Sequence, residues 1–131
     1  VLSAAHAAEP PAGRRIALSG YDPVAYFADG KPAKGTREHW HAFDDAVYLF
    51  RSAAHRNQFA AQPERYAPQY AGYCAGGVSK GYKAEPDPEA WLIANGRLFV
   101  FEHNPYNPLT RRYSLGPRVD VNYLMHTERQ A

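Results

Sequence analysis

The apolar and polar positions of the chain fall into short segments, and the clearest is WLIANGRLFVFE, in which two apolar runs flank Asn95-Gly96. An Asn-Gly pair between such runs is the strongest local signal for a two-residue hairpin turn. The implied register sets Trp91 against Val100 and Ile93 against Leu98 on one face, with Leu92 against Phe99 on the other. Both faces are apolar, so both are expected to be covered. EHWHAFDDAVYLF alternates more loosely and predicts a second hairpin, His39–Phe43 and Ala46–Phe50, turning at Asp44-Asp45. The predicted helices are short. Asp22 and Pro23 read as N-cap and first residue of a helix through Phe27, closed by Asp29-Gly30. Ser52 caps a second helix over AAHRNQFAAQ, which Pro63 ends, and PERYAPQY supplies one or two further turns. A strand at Ile16–Leu18, a glycine-rich stretch around Cys74, a turn over EPDPEA and a helix at Val119–Thr127 complete the reading. No internal repeat stands out. The pattern predicts a small single-domain α+β fold, two β-hairpins with short helices packed on them.

Length and composition narrow the function classes. A chain of 131 residues is enough for one domain with its own core. A net charge of +2 is too small for a nucleic-acid footprint. No run approaches the roughly 20 apolar residues of a spanning helix, so no membrane insertion is expected. Residues 1–13, VLSAAHAAEPPAG, carry Ala-x-Ala-like steps ahead of a proline-rich stretch and read as a leader or the remnant of a secretory signal. Export to the periplasm or beyond is therefore expected. The body of the domain is assigned to 16–103, and 104–131 is a C-terminal extension.

Candidate chemistry centres on the one cysteine, Cys74, in QYAGYCAGGVSKGY. Free cysteine is among the most buried residue types, which argues for an inert thiol. Glycines at 72, 76 and 77 argue the other way, because backbone of unusual φ or close approach gathers at sites. His39 and His41 form an H-x-H pair that period two places on one strand face, roughly 6.5–7 Å apart, close enough to share an ion. His55 shares a helix face with Phe59, and His103 follows the last strand. Imidazoles with one thiolate suit Cu(I) or Zn. No CxxC, nucleophile elbow, phosphate loop or H-E-x-x-H is present.

GYDPVAYFADGKPAKG, YLFRSAAHRNQFAAQPERYAPQYAGYCAGGVSKGYKAEPDPEAW and NGRLFVFE together resemble the YHS-domain family. The nearest branch is the exported bacterial proteins described as YHS domain-containing (seleno)proteins. The likeness runs from about Leu18 to Phe101. It implies a metal-binding module, found beside copper-transport and heavy-metal proteins. Metal-type members carry cysteines where this chain has Ala25, Arg51 and His55, so all three thiols are absent and only His55 keeps ligand capacity. In the seleno branch the Cys74 position can hold selenocysteine, which implies a reactive, at least partly accessible thiol. The tail from about Asn104 departs from that branch.

These readings converge on a small exported metal-binding protein, handling copper, or zinc as the alternative, through Cys74 with His39, His41, His55 or His103. Its partners would be the metal ion and a periplasmic metal-transfer or redox protein, and no residue is assigned a catalytic role. A thiol-based redox enzyme using Cys74 is the second expectation. The third is an interaction module in which Cys74 is structural.

Overall fold

The computed structural model describes residues 9–79 and 81–102. The start of the leader, His103, the extension 104–131 and the helix expected at Val119–Thr127 lie outside the described residues. In chain order the elements are β1 (Arg15–Ile16), a left-handed turn (Ala17–Gly20), α1 (Pro23–Ala28), β2 (Thr36–Phe43), β3 (Ala46–Phe50), α2 (Ala53–Ala61), α3 (Pro63–Tyr66), a second left-handed turn (Gln69–Gly72), α4 (Ala75–Ser79), β4 (Asp87–Ala94) and β5 (Arg97–Phe101). β3 is central in a three-stranded sheet, parallel to β1 and antiparallel to β2, while β4 and β5 form a separate antiparallel pair. This is the small α+β architecture expected. Among the described residues no helix is long and apolar enough to cross a membrane.

Both hairpins close on two-residue turns with positive φ, Asp44 and Asp45 at 53° and 68°, Asn95 and Gly96 at 53° and 74°. Two positive φ values match the right-handed twist of the flanking strands. The second hairpin has the register read from its sequence: Trp91 opposite Val100, Leu92 opposite Phe99, Ile93 opposite Leu98. Both of its faces are covered. Trp91, Leu98 and Val100 enter the main core with Tyr48, Phe50, Phe59, Leu18 and Tyr26. Leu92, Phe99 and Phe101 form a second cluster with Cys74 and Ala75. The first hairpin divides similarly, since Val47 and Leu49 meet Trp40 on its outer side.

Two local readings need correction. Ile16–Leu18 is not a strand: β1 ends at Ile16, and Leu18 and Ser19 take φ of 59° and 52°. Part of the EPDPEA stretch is strand rather than turn, because β4 begins at Asp87. The glycine-rich stretch after Cys74, to which no element was assigned, is helical, as α4.

The structure also contains a repeat that the sequence hides. Leu18 and Ser19 have their counterparts in Tyr70 and Ala71, at φ of 58° and 56°, and each pair runs into a glycine, Gly20 at 87° and Gly72 at 79°. Each glycine precedes an extended tyrosine, Tyr21 or Tyr73, whose N–H closes the turn onto Leu18 or Tyr70. A helix cap follows, Asp22 or Cys74. The N–H of each cap bonds to an alanine carbonyl across the next loop, Asp22 to Ala33 at 2.8 Å and Cys74 to Ala84 at 2.9 Å. Each helix leads to a hairpin with an irregularity at the same place, between Thr36 and Trp40 and between Asp87 and Trp91. The described residues thus contain two copies of one backbone unit, 17–50 and 69–101, joined through α2 and α3. They stack in tandem: the Tyr48 and Phe50 face of the first hairpin and the Trp91 and Val100 face of the second enter one core, with Phe59 and Tyr26 among its members. Such stacking lets each unit bury a face it could not cover alone.

Candidate functional site

The cap positions show how differently the two units are finished. Asp22 is fully buried and saturated. Its Oδ1 accepts from the N–H groups of Val24 at 2.8 Å and Ala25 at 3.3 Å, the capping bonds of α1. Oδ2 accepts the Arg51 N–H at 3.0 Å and His55 Nδ1–H at 2.6 Å. His55 is in turn set by Ser52, whose Oγ accepts the His55 N–H at 3.1 Å and so caps α2. One carboxylate therefore ties α1, the end of β3 and α2 together. A buried polar group with all its partners in place stabilises one arrangement of the elements around it.

Cys74 occupies the equivalent cap. Its Sγ accepts the Gly77 N–H at 3.4 Å, and its neighbours are Ala75, Ala90, Leu92, Phe99 and Phe101. The residue is 3% exposed. The thiol that was expected to be accessible is instead sealed behind α4 and the second hairpin. The other expected ligands lie elsewhere. His55 is held by Asp22 in the first unit. The His41 ring sits 5.9 Å, edge to face, from that of Phe59. His39 is half-buried on β2, next to the irregularity that interrupts strict alternation. Among the described residues no three His, Cys, Asp or Glu side chains form a group that could hold a metal ion. His103 lies outside the described residues.

A groove opens on the solvent side of the Cys74 segment. It has a volume of about 810 Å³ and is walled by Tyr70, Tyr73, Val78, Tyr82 and Lys83. Three features build it. First, the left-handed turn projects Tyr70, whose buried hydroxyl has no hydrogen-bond partner among the described residues. Burial raises the pKa of that hydroxyl, with Arg97 opposing the shift. Second, Tyr82 lies on α4 at Gly77, where a Cβ would come within 2.8 Å of the ring. Its hydroxyl donates to Glu102 at 3.1 Å, yet the residue remains 46% exposed. That hydrogen bond raises the Tyr82 pKa above the ordinary value. An exposed aromatic held in place from behind marks a surface suited to association. Third, Tyr73 is covered by cations: the Arg15 guanidinium is 3.8 Å and Lys83 Nζ 5.3 Å from its ring centroid. Arg15 is committed, with an ion pair to Glu85 at 2.8 Å and a bond to the Ala71 carbonyl at 2.7 Å. Among the described residues that line the groove, Lys83 is the one that carries a charge.

Tyr70, Tyr73, Tyr82 and Lys83 are not among the candidate residues read from the sequence. The usable signal was the pair LSGYD and YAGYC. Set side by side, they make Val78 the counterpart of the fully buried Tyr26, so the second unit has a smaller side chain at that place.

No protein-family model matches the chain. A 44-residue stretch is 48% identical to the ubiquinone biosynthesis O-methyltransferase of Acinetobacter baumannii (strain AYE), covering 32% of this chain and 19% of that enzyme. A 24-residue stretch is 67% identical to the enzyme of that name from Erwinia tasmaniensis, covering 18% of the chain and 10% of the enzyme. The chain spans about a fifth or less of the length of these curated relatives. No solved structure matches.

Proposed function

We propose that this chain is an exported module of the YHS type that docks a partner in the groove beside Cys74, the sulfur serving the fold. The observation that carries this reading is the tandem stack. In the first unit, the surface made by Leu18, Tyr21 and Tyr26 receives the strand β4 of the second unit. The corresponding surface of the second unit, Tyr70, Tyr73 and Val78, lines a groove. The leader-like residues 1–13 support export, and the long motif match supports the family. A methyltransferase activity does not follow from 44 shared residues, which make up only 19% of that enzyme. The reading is tested by amide chemical-shift mapping of the full chain with a pool of short tryptophan-containing peptides of mixed charge. Shifts gathered on 70–83 are expected. A groove that no peptide perturbs overturns the reading.

A second reading, soft-metal handling with copper or zinc at Cys74, is supported by the family resemblance and by the backbone N–H directed at Sγ. With His41 and His55 engaged elsewhere, it needs donors from outside the described residues, His103 among them. Titration of the reduced chain with Cu(I) separates the two. One equivalent bound, and lost in Cys74→Ser, would favour the metal. Steady consumption of peroxide with a thiol reductant would favour a redox enzyme instead.

A further inference from the structure

The tandem stack defines the chemistry of an occupant, an inference that rests on the docking reading above. In the first unit the docked segment is visible in atomic detail. Tyr26 Oη donates to the Pro88 carbonyl at 2.8 Å, so the docked strand is held by its main chain. Glu89 follows Pro88 directly, and Trp91 comes two positions after Glu89, with Ala90 between them. The Glu89 carboxylate lies beside the Tyr21 hydroxyl. The Trp91 ring packs on Tyr26 with centroids 5.2 Å apart and enters the main core. The first unit therefore recognises an extended segment reading acid-x-aromatic, with the acid at the tyrosine that follows the left-handed turn and the aromatic over the capped helix.

The second unit presents the same surface with two changes, and both strengthen that specificity. Beside Tyr73, the counterpart of Tyr21, stands Lys83, which makes no ion pair among the described residues. A cation there favours a carboxylate at the place where Glu89 meets Tyr21. At the counterpart of Tyr26 stands Val78, which leaves room for a ring between Tyr70 and Tyr82. The Tyr70 ring lines the groove and offers an aromatic face to the occupant, while its hydroxyl is buried and unpartnered among the described residues. We propose that the groove binds an extended segment of a partner protein carrying an acidic residue two positions before an aromatic one, the acid at Lys83 and the ring against Tyr70, Val78 and Tyr82. A folded second copy of this chain is a poor occupant. Its own acid-x-aromatic sequence on the outer face, Glu38 and Trp40, has the indole already packed on Val47 and Leu49 at 7% exposure.

The test uses the full chain and a synthetic, end-blocked peptide of the sequence Asp-Pro-Glu-Ala-Trp-Leu, copied from β4. Saturable amide shifts at 70–73, 78 and 81–83 are expected. Placing lysine at the glutamate position of the peptide is expected to weaken binding roughly tenfold or more. Lys83→Glu in the chain is expected to reverse that preference, so that the lysine peptide binds better. The reversal is a readout that mere loss of folding would not produce. If both peptides bind in the groove with equal affinity, the acid-x-aromatic rule is overturned while the docking face stands. If neither perturbs the groove while peptides of the mixed pool do, the rule is again overturned. If no peptide of either set perturbs it, the docking reading itself falls. Concentration-dependent self-association through the groove, with no peptide able to compete, would assign it to a second copy and overturn the partner peptide.

Discussion

At the scale of single residues, the two caps carry most of the argument. Asp22 and Cys74 sit on the same backbone, but Asp22 accepts four hydrogen bonds and Cys74 accepts one from Gly77. Removing the carboxylate leaves the N–H groups of Val24, Ala25 and Arg51 and the His55 imidazole without their acceptor in a buried place. Asp22→Ala is expected to cost about 3–5 kcal/mol in urea unfolding. Cys74→Ala loses one weak cap and some apolar contact, and is expected to cost about 1–2 kcal/mol. Of this, the Asp22 cap was legible, because Asp followed by Pro ahead of an apolar run is a helix-start signature. The turn of His55 toward the core was legible too, from its spacing to Phe59. The His55–Asp22 bond was not, because nothing local joins residues 33 positions apart.

Elements were legible in proportion to how much of their shape local chemistry decides. Asn95-Gly96 selects its turn, and the apolar residues on either side select the register, so the second hairpin could be read almost residue by residue. The two left-handed turns could not. Leu18, Ser19, Tyr70 and Ala71 carry no signal for positive φ, and they hold it because tertiary packing offsets a cost of roughly 1–2 kcal/mol per residue. α4 escaped notice because Gly76 and Gly77 lower helix propensity. These two glycines give a sharp contrast. An Ala Cβ at 76 would make ordinary contact with Cys74 Sγ at 3.8 Å, whereas at 77 it would meet the Tyr82 ring at 2.8 Å. Gly76→Ala is expected to be neutral or to stabilise by up to about 1 kcal/mol, as helix propensity dictates. Gly77→Ala is expected to displace the half-exposed ring and abolish binding of the β4 peptide with little loss of stability. Gly72→Ala, at φ of 79° and with Pro68 Cγ only 3.2 Å from the added Cβ, is expected to cost more than about 1 kcal/mol. Thermal melts of the three variants, with peptide titrations, check the ordering.

For the whole molecule, the tandem stack was missed because its two copies share few residues, among them Gly20 and Gly72, Tyr21 and Tyr73, Glu38 and Glu89, Trp40 and Trp91, Phe50 and Phe101. The backbone retains what the side chains have lost. A main core filled by the facing hairpins also buries tyrosines, and burial above all raises their pKa, Tyr48 to about 12 and Tyr26 further still. Between the ordinary 10.0 and about 12, the unfolded chain gives up a Tyr48 proton that the folded chain keeps. The stabilisation is thus complete below the lower value and is lost as pH rises through this window, by about 1.4 kcal/mol per pH unit for one such tyrosine. Urea unfolding between pH 9 and pH 12 is expected to show this decline, about pH 10 being its onset. Tyr48→Phe is expected to make it shallower; an unchanged slope would remove Tyr48 from the account.

The thiol lies behind the groove, in the buried cluster with Leu92, Phe99 and Phe101, rather than on the working surface. The most direct test is the modification rate of Cys74 by a soluble disulfide reagent in the native, reduced chain, compared with the same chain in strong denaturant. A sealed sulfur predicts that native labelling is slower by well over tenfold and rises with denaturant only as the fold opens. A native rate equal to that of the unfolded chain would place the sulfur at the surface, and with it the site of action.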